Sequence, residues 1–206
     1  MKPITDDKYL QFVIQHHKDI EALNEVYEHA KAKLPLCVAR EVAHAILELR
    51  NGFFKEQGLH VKDEGDGPWW CDPKIFDEEG ETGPYFQFET DQSFQKFKWE
   101  WLVSNDPDDA ARLVLYVETN SIKKKTAKIK YIKRWVNALI ENKNKLYEQG
   151  IFLEEDVDYS DPYLVYRPLQ EVNIELVADR ELFHKRIQQA IREFTSALLP
   201  ILRKGN

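Results

Sequence analysis

Lys123, Lys124, Lys125, Lys128, Lys130, Lys133 and Arg134 place seven of the chain's 29 basic residues in twelve consecutive positions. Ammonium and guanidinium groups at this density recognise anions, phosphate above all, by charge-assisted hydrogen bonds. The cluster runs against its background, because the 206-residue chain carries a net charge of -7. Residues 121–150 hold nine basic and two acidic side chains, net +7, which leaves -14 for the rest of the chain. Such a surface repels a polyanion everywhere except at the cluster, so any nucleic acid is expected to bind locally. Lys124, Lys125 and Lys128 fall in the first turn of a predicted helix, where the dipole disfavours cations by about 0.3–1 kcal/mol each. A placement that costs stability points to an anion site.

Three other constellations carry possible chemistry. Glu41-x-x-His44 and Glu181-x-x-His184 have the spacing of di-iron carboxylate helices. On the helical wheel, however, Glu41, His44 and Glu48 fall opposite the Val42/Leu49 stripe, and Glu181 and His184 are likewise on a polar side, so no metal site is assigned. A metal-dependent nuclease needs a carboxylate on one strand and a Glu/Asp-x-Lys on the next. The candidate carboxylates are Glu89, Asp91, Glu100 and Glu118; Glu100 is followed by Leu102 and Glu118 by Asn120, and only Lys123 lies close behind. The third constellation is acidic: Asp63, Glu64, Asp66, Asp72, Asp77, Glu78, Glu79 and Glu81 surround Trp69 and Trp70. Such a loop suits the docking of a basic protein, as in acidic inhibitors of nucleases. There is no HExxH, phosphate loop or GxSxG. Cys37 and Cys71 lack CxxC spacing and read as reduced thiols.

The elements that would position these residues follow from periodicity. Residues 5–33 predict a helix, with Thr5 as N-cap, Asp6 and Asp7 in its first turn, and Val13, His17, Ile20, Leu23, Tyr27 and Ala30 on one side. Pro35 is placed at the start of a second helix ending near Gly58, the two forming an antiparallel hairpin. Residues 61–83 predict a Gly/Pro-rich loop. Alternation then predicts three meander strands around Tyr85–Glu89, Phe97–Val103 and Arg112–Thr119, and Tyr163–Arg167 suggests a fourth. Residues 122–149 predict a long helix whose buried arc is Ile129, Ile132, Trp135, Val136 and Leu139, ended by Gly150. Asp179 caps a last helix, which Pro200 kinks or ends.

Together these predict a single α+β domain over 1–206: a helical hairpin (5–58), an acidic Trp-containing loop (61–83), and a mostly antiparallel sheet of three to four strands under two long helices (84–206). The chain's 43% hydrophobic and 32% charged residues are ordinary for a globular protein. No apolar run reaches the roughly 18 residues of a membrane span, and no signal peptide is read at the N-terminus, so a cytoplasmic location away from membrane is expected. The expected function is non-enzymatic binding of nucleic acid, or of a protein that handles it, through the basic helix. A divergent metal-dependent nuclease and an immunity-type inhibitor are the alternatives, so enzymatic activity stays open. No catalytic residue, metal or cofactor is assigned.

Overall fold

The computed structural model describes residues 8–64, 67–72, 85–90, 97–104, 106–160 and 162–204. The element order is α1 (Lys8–Glu48), β1 (His60–Glu64), β2 (Gly67–Cys71), β3 (Tyr85–Thr90), α2 (Trp99–Val103), β4 (Arg112–Glu118), α3 (Lys125–Ile140), α4 (Lys143–Glu148), β5 (Phe152–Leu153), β6 (Tyr163–Pro168), α5 (Ile174–Val177) and α6 (Arg180–Lys204). Helices and one antiparallel sheet are mixed, as expected. The sheet has six strands in the order β1-β2-β3-β4-β6-β5, where three to four were predicted.

One helix replaces the expected hairpin. Its apolar stripe runs in phase from Ile20, Leu23, Tyr27, Ala30 and Leu34 into the buried Val38, Val42, Ala45 and Leu49. A turn at Pro35 would break that phase. Pro35 therefore sits inside α1, where it leaves the Lys31 carbonyl without its intrahelical donor. The helix departs from helical geometry only at His16 (φ -114°, ψ 15°). Thr5, Asp6 and Asp7, the expected N-terminal cap and first turn, lie outside the described residues.

Part of the expected loop is a hairpin. β1 and β2 pair from His60 opposite Cys71 to Glu64 opposite Gly67, whose φ of 139° suits glycine. Trp70 is fully buried on β2, and Trp69 lies under Lys62 Nζ at 5.1 Å from its ring centroid. The predicted strand at 97–103 is in part the short helix α2. Phe97 and Trp101, four residues apart, meet edge to face at 5.1 Å and are buried with Leu102, while Val103 is exposed. That is a helical burial pattern, and the apparent alternation arose from Trp99 and Val103.

The long helix expected at 122–149 divides at Glu141–Asn142. The Asn142 amide donates to the Ala138 carbonyl at 2.8 Å, capping α3 from the side. Gly150, at φ 69°, ends α4 as expected, with Ile151 N–H donating to Leu146 O at 2.9 Å. Asp179 Oδ1 accepts from Leu182 N–H at the start of α6, again as expected. Pro200 neither kinks nor ends α6; it lies in the last turns of a helix that continues to Lys204.

One face of the sheet holds the core. Phe86 and Phe88 of β3, Leu113, Leu115 and Val117 of β4, and Trp70 of β2 pack against Phe183, Ile187, Ile191 and Phe194 of α6 and Trp135 of α3. Trp70 stacks on Phe88 at 5.8 Å, and Phe88 meets Phe194 edge to face at 6.0 Å. Phe86 meets Trp135 edge to face at 4.4 Å. Aromatic contacts of this geometry add about 0.5–1.5 kcal/mol each to the burial itself. Arg203 of α6 donates from Nε to the buried Asp72 Oδ2 at 2.7 Å and from Nη2 to Gln57 O at 2.5 Å, tying the helix end to the sheet.

Candidate nucleic-acid interface

The basic helix α3 is held by Ile132, Trp135 and Leu139, buried as predicted, with Ile129 and Val136 partly buried. That fixes which side chains turn outward. Lys123, Lys124, Lys125, Lys130, Lys133 and Arg134 are exposed. Lys124 to Arg134 spans about 15 Å along the axis at 1.5 Å per residue.

The N-terminus of α3 has no side-chain cap. Lys124 is the N-cap residue (φ -90°, ψ 118°), its side chain makes no capping bond, and the first turn contains no acid. The first helical bond runs from Lys128 N–H to Lys124 O at 3.0 Å. The N–H groups of Lys125, Thr126 and Ala127 therefore have no intrahelical acceptor and point outward among three lysines. Backbone donors, the positive dipole end and ammonium groups converge there, which is the composition of a phosphate site.

Lys128 does not share this exposure. Its Nζ donates to the Ser160 carbonyl at 3.3 Å. The neighbouring Asp158 carboxylate accepts from Ser160 N–H at 2.8 Å and Ser160 Oγ at 2.7 Å. Those two bonds, with the Lys128 charge as a smaller contribution, hold Asp158 below the usual carboxylate range. Lys128 thus tethers α3 to the β5–β6 connection. Arg134 lies over the Trp135 ring at 5.0 Å.

The acids nearest in sequence are engaged elsewhere. Ser104 Oγ donates to Asp109 and accepts from Asp106 N–H, while Asp106 Oδ1 accepts from Asp108 N–H at 3.0 Å. Glu118 Oε1 accepts from Asn120 N–H at 2.6 Å. Among the described residues, no carboxylate lies within 4.0 Å of an ammonium nitrogen of Lys123, Lys124, Lys125, Lys130 or Lys133.

The other sequence constellations are dispersed or recombined. Glu100 is on α2 rather than a strand, Glu89 accepts from Gln87, and Asp91 lies outside the described residues. The two Glu-x-x-His motifs cross-pair: Glu41 Oε2 accepts from Arg180 Nε at 2.8 Å and lies 2.6 Å from His184 Nε2. His184 Nδ1 lies 3.4 Å from Glu48, so both ring nitrogens face carboxylates. Among the described residues, no group of three or more His, Cys, Asp or Glu side chains is arranged to hold a metal. Of the acidic loop, Asp63 and Glu64 lie on β1 and Asp72 is buried against Arg203; Asp66, Asp77, Glu78, Glu79 and Glu81 lie outside the described residues.

Sequence reasoning missed a cavity of about 330 Å³ on the opposite sheet face from the core, lined by Arg112, Val114, Tyr163, Tyr166, Glu154, Asp156 and Asp158. Arg112 stacks on Tyr166 at 4.5 Å, and Tyr116 and Tyr163 pack at 5.2 Å. Its three carboxylates set this cavity against phosphate, although Asp158 places it beside the Lys128 tether. The signal available in the sequence was the outward alternation of Arg112, Val114 and Tyr116. Among the described residues, no helix is long and apolar enough to cross a membrane. Compared with known proteins, the chain matches no family model, no curated relative and no solved structure.

Proposed function

We propose that this chain is a binding protein that holds the phosphate backbone of a nucleic acid on the N-terminus and outer ridge of α3. The observation that carries this reading is the uncapped N-terminus of α3, set among exposed lysines that no described carboxylate neutralises. The acid-rich sheet-face cavity beside it directs phosphate toward the helix and away from the sheet. The ridge is long enough for about two to four phosphates at the axial spacing of a duplex or strand. Contacts are to the backbone, so binding is expected to be weakly selective for sequence.

Fluorescence anisotropy with labelled single-stranded and duplex oligonucleotides at 50 and 200 mM salt tests the proposal. Counterion release predicts a log–log salt slope of about -2 to -4, which is a loss of roughly 15-fold to 250-fold in affinity over this range. Absence of binding at 50 mM salt would remove the nucleic-acid reading and leave α3 as a surface for an acidic protein.

A further inference from the structure

A second cavity, of about 400 Å³, lies between the C-terminal half of α3 and the β5–β6 connection. The buried Leu139 and Leu164 line it, with the partly buried Val136 and Leu153 beside them. Ile140 also lines it and is 52% exposed, so the cavity meets solvent along an apolar lip. Its size is at the small end of ligand cavities, about 300–1,000 Å³, and suits one large side chain.

Three consecutive carboxylates, Glu154, Glu155 and Asp156, line the same cavity. Among the described residues, no Lys, Arg or His nitrogen lies within 4.0 Å of any of them. Cations of the neighbouring elements are turned elsewhere: Lys143 lies over the Tyr147 ring at 5.0 Å, Arg112 over Tyr166 at 4.5 Å, and Lys128 reaches Ser160. The last turn of α3 holds no basic residue, so the negative end of its dipole, at Ile140, is not offset by a cation of its own. An apolar interior is thus combined with negative potential from two sources. The connection is fixed at both ends, because Glu154 N–H donates to Leu164 O at 3.0 Å and Lys128 holds Ser160. A rim fixed in advance loses little freedom on binding.

We propose that this cavity docks a basic segment of a partner protein, with one large apolar side chain inserted beside α3 and flanking Lys or Arg side chains over Glu154, Glu155 and Asp156. Charge complementarity selects that occupant. The carboxylates and the dipole end repel nucleic acid and anionic lipid. An uncharged apolar segment would desolvate three carboxylates and leave them without a partner. A Lys or Arg stem packs on the apolar lip while its charged head meets the rim. The basic ridge of a second copy has the charge, but its Ile132, Trp135 and Leu139 are buried and not available for insertion. The site lies at the opposite end of α3 from the proposed phosphate site and uses none of its lysines, so it does not depend on nucleic-acid binding.

Fluorescence anisotropy of the full chain with three labelled hexapeptides tests the inference. The first has a central Trp–Leu pair with two basic residues on each side; the second replaces the pair with alanines, and the third replaces the basic residues with glutamates. The first is expected to bind about ten-fold or more tightly than either of the others. A triple variant, Glu154→Gln with Glu155→Gln and Asp156→Asn, keeps the side-chain shapes and is expected to weaken that binding about ten-fold, with no fall in the unfolding midpoint. Ile140→Arg, which sets a cation on the half-exposed lip, is expected to weaken it to a similar degree. A first peptide that fails to bind at millimolar concentration, or binds no better than its alanine counterpart, overturns the proposal. So does binding that persists in both variants, which would place the peptide elsewhere. Sedimentation velocity of the chain alone supplies the remaining outcome: a pair that the triple variant separates would assign the cavity to a second copy and overturn the partner reading.

Discussion

Trp70 Nε1 on β2 donates to Thr195 Oγ1 on α6 at 3.1 Å, across 125 residues and with both side chains fully buried. It is a single polar contact within the aromatic stack that joins sheet to helix. The burial of the indole N–H makes its acceptor structurally important. Thr195→Val keeps the shape and removes the oxygen, leaving a buried donor unsatisfied. The expected cost is about 1–3 kcal/mol, read as a lower urea midpoint with unchanged slope. A midpoint within experimental error of the native protein would show that another acceptor reaches the indole.

Glu41 gives the α1–α6 contact an acid limit. The Arg180 hydrogen bond, opposed by desolvation and aided by His184, holds its carboxyl below the ordinary value of 4.5. The unfolded chain then binds the proton more readily than the folded one. The stabilisation is fully present above the unfolded value and is lost as pH falls through the folded value. Glu41→Gln is expected to flatten the stability profile between about pH 5 and pH 3, by about 1 kcal/mol or less because the group is partly solvated. Denaturant melts at four pH values measure this. An equally steep acid limb in the variant would assign it to other carboxylates.

The two thiols are expected to separate cleanly in reactivity. Cys37 is exposed on α1, whereas Cys71 is buried and burial pushes its thiol up to about 12. At pH 8 the native protein should consume one equivalent of a thiol reagent quickly and the second only on unfolding. Rapid reaction of both in the native protein would mean that β2 opens readily.

The parts of the fold written in local periodicity were legible. Ile132, Trp135 and Leu139 face inward because a 3,4 spacing has one solution on a helix, and Gly150 and Asp179 end and begin helices as their chemistry dictates. The misreadings occurred where one residue admits two local roles. Pro35 is compatible with a helix start or a helix interior, and only the continuous phase of the stripe across it distinguishes them. Phe97 and Trp101 suit either period. The β1–β2 hairpin was hidden by counting Gly65 and Gly67 as loop residues, although Gly65–Asp66 leaves a two-residue connection between strands. At the candidate site, the lysines were legible by composition, but the tether from Lys128 to Ser160 spans 32 residues and no local pattern encodes it.

The uncapped start of α3 allows stability and binding to be moved in opposite directions. Lys124 and Lys125 are exposed beside the positive end of the dipole, and no capping side chain or first-turn acid offsets them. Replacing both with Gln removes two unfavourable charge–dipole contacts, so the double variant is expected to be more stable by about 0.3–1 kcal/mol per replaced lysine at low salt. The same change removes two cations from the proposed phosphate site. The salt slope of oligonucleotide binding should become shallower by about 1 to 2, with affinity at 50 mM salt reduced accordingly. Lys143→Gln and Lys145→Gln on α4 serve as a charge-matched control expected to leave the slope unchanged. Thermal melts and anisotropy on the same preparations provide both readings. A variant that gains stability yet binds as the native protein would detach the basic first turn from nucleic-acid contact. One that loses stability would show that these lysines have structural partners.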